Sequence, residues 1–264
     1  MKKMESYTAL AEVYDDINKV VDYAAFADFY EKCFEKYMSV RPELVLDLAC
    51  GTGKMTEELD RRGYDMTGID LSYDMLMMAK DRAYELERSD SILYLCQDMT
   101  AFELYGTVDA CVCTLDGLNY LTFENELENA LRCVHNYLIP DGLFIFDMTT
   151  KYKFENIYAS NSYLYEGESE AGEYFCAWQN MYDRESEICE FSLTTFIKNQ
   201  NGSYRRADEV QYQRMYEAEY VRELLCRCGF EVVCVTGGFD RCALSDSDER
   251  MFFVARCKKE TVNE

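Results

Sequence analysis

The stretch Val45-Leu46-Asp47-Leu48-Ala49-Cys50-Gly51-Thr52-Gly53 decides the fold of this chain. Its apolar beginning predicts a short strand of the kind that is buried on both faces of a parallel sheet. Gly51 and Gly53 then permit a tight turn in which the backbone can approach a ligand that a Cβ would push away. The turn opens onto a predicted helix, whose N-terminus favours a negative group. A ligand site and a purely structural turn would both produce this pattern.

Strands and helices alternate strictly through the first part of the chain. A helical spacing of apolar and aromatic residues comes first, from about Tyr7 to Tyr37. The following predicted strands lie at 44–48, 65–70, 92–96, 108–113 and 143–147. The helices between them are predicted at 54–62, 72–86 and 124–138. This alternation is typical of a parallel sheet that is covered on both faces.

After about residue 150 the pattern changes to period-two segments rich in aromatic and β-branched residues. These segments predict strands of a small antiparallel sheet, at 174–178, 188–194 and 209–215. A helix and two strands follow, at 218–228, 230–236 and 251–257. We therefore expect one α/β domain, made of residues 1–150 and 217–264, with an inserted β subdomain of residues 151–216.

Three carboxylates accompany the glycine turn. Asp47 lies in the first strand, Asp70 ends the second and Asp98 closes the third. A carboxylate at the end of the second strand can accept both hydroxyls of a ribose. One at the next strand end can accept the exocyclic amine of an adenine. Each residue alone could be a cap or a turn residue, but together they indicate a nucleoside-binding site.

The formal net charge of −23 at pH 7 limits the partners of this chain. Non-specific binding of nucleic acid depends on Lys and Arg that displace counterions. The sequence has no basic cluster longer than Lys258-Lys259 or Arg205-Arg206. Composition therefore disfavours a nucleic-acid partner and an anionic membrane surface.

The 13 cysteines are scattered through apolar runs. Met1–Glu5 are not followed by the apolar segment of a secretory signal, and no stretch approaches the roughly 18 apolar residues that span a membrane. We expect reduced cysteines and a cytoplasmic protein. Cys226-Arg227-Cys228 lacks the spacing of zinc-binding pairs, so no metal site is expected. The single histidine, His135, is expected near a helix C-terminus at the surface.

The combined motifs resemble those of the class I S-adenosylmethionine (SAM) dependent methyltransferases. Residues 45–53 are similar to the first motif of that family, and Gly68-Ile69-Asp70-Leu71-Ser72 is similar to the second. Asp98 matches the acid that contacts adenine. The similarity extends over about residues 7–146 and is closest to the bacterial small-molecule branch. That branch starts with a helix bearing a Tyr-Asp pair, here Tyr14-Asp15, and carries an antiparallel insertion.

The resemblance implies SAM as the cofactor and a Rossmann-like methyltransferase fold. The fold would have a mostly parallel seven-stranded sheet, helices on both faces and an inserted small antiparallel β-sheet. The implied cofactor-binding residues are Tyr14, Asp47, Ala49, Gly51, Gly53, Asp70, Leu71, Met75, Asp98, Met99 and Leu115. Gly51 and Gly53 would pass under the methionine and ribose. Leu71 and Met99 would enclose the adenine, and Tyr14, with Tyr7, would close over the methionine end.

A dinucleotide site fits the sequence less well. The glycines do not follow the G-x-G-x-x-G pattern, and Thr56 stands where close helix packing requires a residue without a Cβ.

The implied activity is methylation of a small-molecule acceptor on nitrogen or oxygen. Residues after the fourth strand face the acceptor in this family, which makes Asp116, Asn119 and Tyr120 the acceptor-site candidates. None of them is an evident catalytic base. A SAM-binding regulatory protein without transferase activity and an RNA or protein methyltransferase remain as alternatives. The inserted sheet could be a lid or wall of the acceptor pocket, a homodimer surface, or a small core of its own.

Overall fold

The computed structural model describes residues 10–169, 171–241 and 243–259. Its helices are α1 (Ala11–Ile17), α2 (Tyr23–Tyr37), α3 (Lys54–Arg61), α4 (Tyr73–Glu85), α5 (Glu126–Tyr137) and α6 (Ala218–Arg227). Its strands are β1 (Leu44–Leu48), β2 (Asp65–Asp70), β3 (Ile92–Cys96), β4 (Val108–Cys113), β5 (Leu138–Thr149), β6 (Ser162–Ser169), β7 (Gly172–Asp183), β8 (Ile188–Lys198), β9 (Tyr204–Arg214), β10 (Phe230–Thr236) and β11 (Arg250–Cys257). A 3₁₀ turn spans Gly117–Tyr120, and a π-helical turn spans Lys153–Tyr158.

Seven strands form the central sheet in the order β10-β11-β5-β4-β1-β2-β3. The neighbouring pairs from β5 to β3 are parallel, whereas β11 runs antiparallel to both β5 and β10. The strand order reverses direction between β1 and β4. At such a switch point the carboxyl ends of the strands leave a crevice for a ligand. The predicted mostly parallel seven-stranded sheet is confirmed.

Apolar clusters cover both faces of the central sheet. On one face, Phe34 of α2 and Leu59 of α3 pack in a cluster with residues of β1, β2 and β4. On the other face, Leu131 of α5 and Leu224 of α6 pack in a second cluster with residues of β4, β5 and β11. Strands buried on both faces are mainly apolar, which is why short apolar runs marked them in the sequence.

The inserted strands β6 to β9 form a four-stranded antiparallel sheet. Its apolar face packs against Leu10 and Val13 at the start of α1 and against Phe154. The insertion therefore shares a core with the N-terminal helix. β6 is absent from our sequence prediction because none of its residues is buried, which leaves no apolar alternation to detect.

The helical segment predicted from Tyr7 to Tyr37 is interrupted. α1 ends at Ile17, and a turn in which the Val21 N–H donates to the Asn18 carbonyl separates it from α2. The Asp22 carboxylate caps α2 by accepting from the Ala25 N–H at 2.9 Å. Asp is a preferred N-cap residue, so a new helix begins here. Residues 7–9 lie outside the described residues.

β5 is longer than the predicted strand at 143–147. It begins at Leu138 and includes Pro140. The pairing of β4 with β5 shifts register between Val108 and Ala110, beside this segment. Such an irregularity accommodates a proline, which cannot donate to the sheet. Within the described ranges, every helix is too short or too polar to cross a lipid bilayer.

Candidate active site

A cavity of about 950 Å³ lies beyond the carboxyl ends of β1, β2 and β4. Two groups of lining residues differ in where they come from. The glycine-turn half lies at the ends of β1, β2 and β3 and includes Asp47, Ala49, Gly51, Asp70, Leu71, Asp98 and Met99. The inserted-sheet half comes from the segment after β4 and from the insertion and includes Tyr120, Thr122, Ser186, Gln211 and Arg214.

The two glycines of the turn have different roles. Gly51 and Gly53 have φ angles of +55° and +77°, in the left-handed region that favours glycine. Gly51 lines the cavity, and no heavy atom lies within 4 Å of where its Cβ would stand. Gly53 is not a lining residue, and a Cβ there would lie 2.9 Å from the Cβ of Ala79 and collide with the Tyr94 hydroxyl. The structure thus gives Gly53 a packing role, and its contact with a ligand stays a prediction.

Asp47 presents an unsatisfied oxygen at the cavity. The residue is 1% exposed, and Thr56 Oγ1 donates to its Oδ2 at 2.6 Å. Its Oδ1 has no hydrogen-bond partner among the described residues. Burial raises the pKa of this carboxyl to about 7. A buried acceptor without a partner costs stability, so a cationic ligand group at this position would be strongly favoured.

Asp70 ties the glycine turn to the start of α4. Its Oδ2 accepts from the Gly51 N–H and its Oδ1 from the Ser72 N–H, each at 2.8 Å. As predicted, the Ser72 hydroxyl caps α4 by accepting from the Met75 N–H. Burial raises the pKa of the Asp70 carboxyl. A carboxylate has about four lone-pair sites, so two bonds to the backbone leave capacity for ligand hydroxyls.

Asp98 is both a turn residue and a lining residue. Its Oδ1 accepts from the Thr100 N–H at 2.9 Å and from the Thr100 hydroxyl at 2.8 Å. The next residue, Met99, lines the cavity, as do Leu71 and the buried Met75. Asp98 can therefore hold its turn and face a ligand at the same time.

α1 places Tyr14 in the lining of the cavity. The next residue, Asp15, accepts from the Thr52 hydroxyl at 2.6 Å and pairs with Arg82. Arg82 also donates to the Thr52 carbonyl at 2.7 Å. This network holds α1 on the glycine turn, and burial raises the pKa of the Tyr14 hydroxyl. Tyr7 lies outside the described residues.

A buried ion pair shapes the segment after β4. Leu115, which lines the cavity, and Asp116 have φ angles of +61° and +54°. Their N–H groups donate to the two oxygens of Asp147 at 2.8 and 2.9 Å. Asp147 is completely buried and pairs with Arg250, which also lies 2.9 Å from Asp116 Oδ1. These contacts stabilise a backbone conformation that residues with a Cβ rarely adopt.

Of the three acceptor-site candidates, Tyr120 alone belongs to the described cavity lining. Asp116 Oδ2 accepts from Gln213 Nε2 at 2.6 Å, and its Oδ1 pairs with Arg250. Asn119 is fully buried and bonds through both amide atoms to backbone groups of β9 and β5. Asp116 and Asn119 therefore hold the segment after β4 in place, and their contact with an acceptor stays a prediction.

The Tyr120 hydroxyl has a defined orientation. Glu209 accepts from Gln211 Nε2 at 2.7 Å, which turns Gln211 Oε1 toward Tyr120. The Tyr120 hydroxyl donates to that oxygen at 3.1 Å. Because its proton is used in this bond, any further hydrogen bond of the Tyr120 hydroxyl is one that the oxygen accepts.

The other inserted-sheet residues were missed by sequence reasoning. Ser186 lies in the turn before β8, while Gln211 and Arg214 lie on β9. No glycine pattern or strand-end carboxylate marks them. The detectable signal was the period-two run at 209–215, which predicts a strand and does not indicate which residues meet the cavity.

No group of three or more His, Cys, Asp or Glu among the described residues could hold a metal ion. The described cysteines are free thiols, and most are buried. His135 lies in the last turn of α5, where Nε2 is 3.1 Å from the Lys258 carbonyl oxygen and the ring packs edge-on against Phe230. Its predicted place near a helix C-terminus is confirmed.

Comparison with known proteins finds methyltransferases. A family model described as "Methyltransferase domain" matches residues 45–142. The chain is 32% identical over 260 residues to "Putative methyltransferase YqeM" of Bacillus subtilis (strain 168), covering 97% of this chain and 99% of that protein. A second protein with the description "Putative methyltransferase", from Geobacillus sp. (strain WCH70), is 30% identical over 251 residues, covering 95% and 99%.

Solved structures of methyltransferases have the same fold as this chain. A SAM-dependent methyltransferase from Clostridium acetobutylicum ATCC 824 superposes with a TM-score of 0.82 at 27% identity, covering 96% of this chain and 99% of that one. The sugar N-methyltransferase KedS8 of Streptoalloteichus sp ATCC 53650 has a TM-score of 0.76 at 21% identity, covering 98% of both chains. A more distant sequence relative, 24% identical over 231 residues, is the dTDP-3-amino-3,6-dideoxy-alpha-D-glucopyranose N,N-dimethyltransferase of Streptomyces fradiae, with 87% and 86% covered.

Proposed function

This chain belongs to the class I SAM-dependent methyltransferase family, and we propose that it methylates a small-molecule acceptor on nitrogen or oxygen. Its cofactor is SAM, and its fold is the Rossmann-like methyltransferase fold. The observation that carries the proposal is one continuous cavity lined by both the glycine turn and the inserted sheet.

The glycine-turn half is the proposed cofactor site, and its unsatisfied groups fit SAM. Asp47 Oδ1 would accept from the α-ammonium group, which supplies the partner that this buried oxygen lacks. Asp70 would accept from the ribose hydroxyls and Asp98 from the adenine amine. Gly51 leaves space that a side chain would fill. Ala49, Leu71, Met75, Met99, Leu115 and Tyr14 would supply the surrounding surface.

The size of the cavity supports a small acceptor. Its volume, about 950 Å³, is near the upper end of the range for small-molecule sites. That leaves room for a cofactor and a second small substrate in one space. The net charge of −23 also argues against an RNA acceptor, because phosphate backbones are bound through excess Lys and Arg.

The inserted-sheet half is the proposed acceptor site, with residues 151–216 as the subdomain that completes it. Bound SAM supplies an electrophilic methyl group on a sulfonium, and the chain has to align a nucleophile with it and exclude water. Tyr120 would accept a hydrogen bond from an amine or hydroxyl of the acceptor. Relatives named as sugar N-methyltransferases make an amino sugar a suitable first acceptor to test.

The experiment is a transfer assay with SAM labelled on its methyl group. Panels of amino sugars, small amines and hydroxy compounds would be compared with RNA and with total protein as acceptors. We expect S-adenosylhomocysteine to form and the label to enter a small molecule. Label found solely in RNA or protein would refute the proposed acceptor class. The matched control is Asp70→Ala, which removes the proposed contact with the ribose.

A further inference from the structure

Arg214 is exceptional among the arginines of this chain. Every other arginine in the described residues has a carboxylate oxygen within 4.0 Å of a guanidinium nitrogen. Asp and Glu number 50 against 27 Lys and Arg, so a carboxylate partner is easy to find almost anywhere on this protein. Arg214 lacks one although it lies at the cavity. An anionic group of a ligand could therefore pair with Arg214 without displacing a carboxylate of the described residues.

The Arg214 guanidinium is held in a fixed orientation. Nε donates to the Thr122 carbonyl at 3.0 Å, and Nη1 donates to the Ser186 carbonyl at 3.3 Å. Thr122 and Ser186 also line the cavity. A guanidinium has five N–H donors, so about three remain for a ligand. Because the side chain is already ordered, little conformational entropy is lost when it binds.

The charges in the cavity lining are unevenly placed. The lining holds the carboxylates of Asp47, Asp70, Asp74, Asp98 and Glu126 and the cations Lys54 and Arg214. Lys54, another cation in the described lining, has its Nζ 3.5 Å from Asp15 on the glycine-turn side. Glu126 also lines the cavity, and its Oε2 already accepts from the Phe123 N–H at 3.0 Å. Arg214 is thus a positive charge without a carboxylate partner among the described residues, in the inserted-sheet half of the cavity. Planar guanidinium groups bind phosphate and carboxylate with two parallel hydrogen bonds.

We propose that Arg214 binds an oxyanion of the methyl acceptor, a phosphate or a carboxylate. The inference rests on the proposed function, because it assigns this wall of the cavity to the acceptor. It narrows the acceptor to an acidic small molecule whose amine or hydroxyl reaches toward the glycine-turn half while its anion stays on Arg214. Arg214 is then a specificity-determining residue.

The test is calorimetric titration of the full chain, saturated with S-adenosylhomocysteine, with pyrophosphate and separately with succinate. The two probes distinguish a phosphate site from a carboxylate site. Arg214→Gln removes the charge, and Arg214→Lys keeps it without the planar fork. The matched control is Arg206→Gln, on the same strand, where the exposed arginine pairs with Asp208 at 2.8 Å.

We expect one probe to bind saturably to the wild-type protein and to Arg206→Gln. Its dissociation constant should rise about tenfold or more in Arg214→Gln and less in Arg214→Lys, with the affinity for S-adenosylhomocysteine unchanged. Equal probe affinity in the wild type and Arg214→Gln would overturn the proposal. So would an equal loss in both Arg214 variants together with weaker S-adenosylhomocysteine binding, since a purely structural clamp would give that result.

Failure of this inference and failure of the proposed function can be told apart. If the wild type binds S-adenosylhomocysteine but neither probe, the anion site is wrong and the methyltransferase assignment stands. If the wild type does not bind S-adenosylhomocysteine, the cofactor site itself is wrong and both proposals fall.

Discussion

The two halves of the cavity are built in different ways. The glycine-turn half takes its residues from three short segments that directly follow or end neighbouring strands, at 47–51, 70–71 and 98–99. The inserted-sheet half joins Tyr120 and Thr122 to Ser186, Gln211 and Arg214, which are far apart in sequence. The first half is fixed by local geometry at the edge of a parallel sheet. The second depends on how a separate sheet docks on the segment after β4.

This difference predicts what each half does. A site built from strand ends presents the same backbone groups whenever the sheet forms, which suits a cofactor that does not vary. A site completed by an insertion can change its side chains without disturbing the sheet, which suits the recognition of a particular acceptor. Substitutions that separate the two halves test this view.

The largest effect is expected at the ion pair that supports the segment after β4. Arg250→Met should lower the free energy of unfolding by about 3–5 kcal/mol, because it leaves the buried Asp147 without its cation. Arg256→Met on the same strand is the control. Arg256 pairs at 3.4 Å with a half-exposed Glu231 and donates to the Tyr37 carbonyl at 2.9 Å, so its loss should cost about 2 kcal/mol or less. Equal losses in urea unfolding would mean that the pair does not support this segment.

A substitution in the glycine turn should impair SAM binding by the glycine-turn half and leave the inserted-sheet half intact. Gly51→Val should weaken SAM binding about a hundredfold, because the side chain would occupy the cavity. Gly63→Val is matched to it: Gly63 also has a positive φ, +88°, with no heavy atom within 4 Å of its Cβ position, and it ends α3 away from the cavity. Both variants should lose similar stability. The account fails here if titration shows that Gly63→Val weakens SAM binding as much as Gly51→Val.

The pH dependence of SAM affinity should follow the protonation of the Asp47 carboxyl. Its pKa is raised to about 7 by burial, so below pH 7 a proton must leave before the carboxylate can meet a cation. SAM affinity should rise about tenfold between pH 6 and pH 8 in the wild type and stay flat in Asp47→Asn. A flat wild-type profile from calorimetry at several pH values would remove Asp47 from the cofactor site.

The same pKa has the opposite consequence for the stability of the unliganded protein. The folded-state pKa of Asp47 lies above the ordinary aspartate value of 3.8, so the folded state binds the extra proton. Stability should therefore fall as the pH rises from about 4 to about 7. Above pH 7, Asp47→Asn should unfold at a higher urea concentration than the wild type. A less stable Asp47→Asn protein would contradict this.

The smallest effect is expected in the inserted-sheet half. Tyr120→Phe removes the hydrogen bond to the buried Gln211 and should cost about 1 kcal/mol. The KM of the acceptor found in the transfer assay should rise about fivefold while SAM affinity stays unchanged. Tyr220→Phe, at an exposed tyrosine of α6, serves as the control. If Tyr120→Phe changed the affinity for SAM and nothing else, Tyr120 would belong to the glycine-turn half, and our assignment of it would be wrong.

The contrast between the halves also explains what the sequence could predict. Parallel strands buried on both faces leave continuous apolar runs, and the residues at their ends fall at one edge of the sheet. Asp47, Gly51, Asp70 and Asp98 could therefore be placed from spacing and resemblance. Gly53 had the same local signature, but whether a glycine faces a ligand or a neighbouring side chain depends on packing.

The missed features depend on contacts between distant parts of the chain. Asp116 and Asn119 follow β4 as acceptor-facing residues would, yet β9, β5 and Arg250 use their side chains for support. Arg214 does not belong to a sequence motif. It differs from the other arginines because it has no carboxylate neighbour in the described structure. β6 has no buried residue and left no pattern. Sequence periodicity reports burial, and none of these features is determined by burial alone.

The central claim is that the glycine-turn half binds SAM. Calorimetric titration with SAM and with S-adenosylhomocysteine tests it most directly, in the wild type and in Asp70→Ala, with circular dichroism to check that the variant is folded. We predict saturable binding of both ligands to the wild type and a loss of about a hundredfold in the variant, which lacks a buried charged acceptor. No binding to the wild type, or wild-type affinity in Asp70→Ala, would contradict the account.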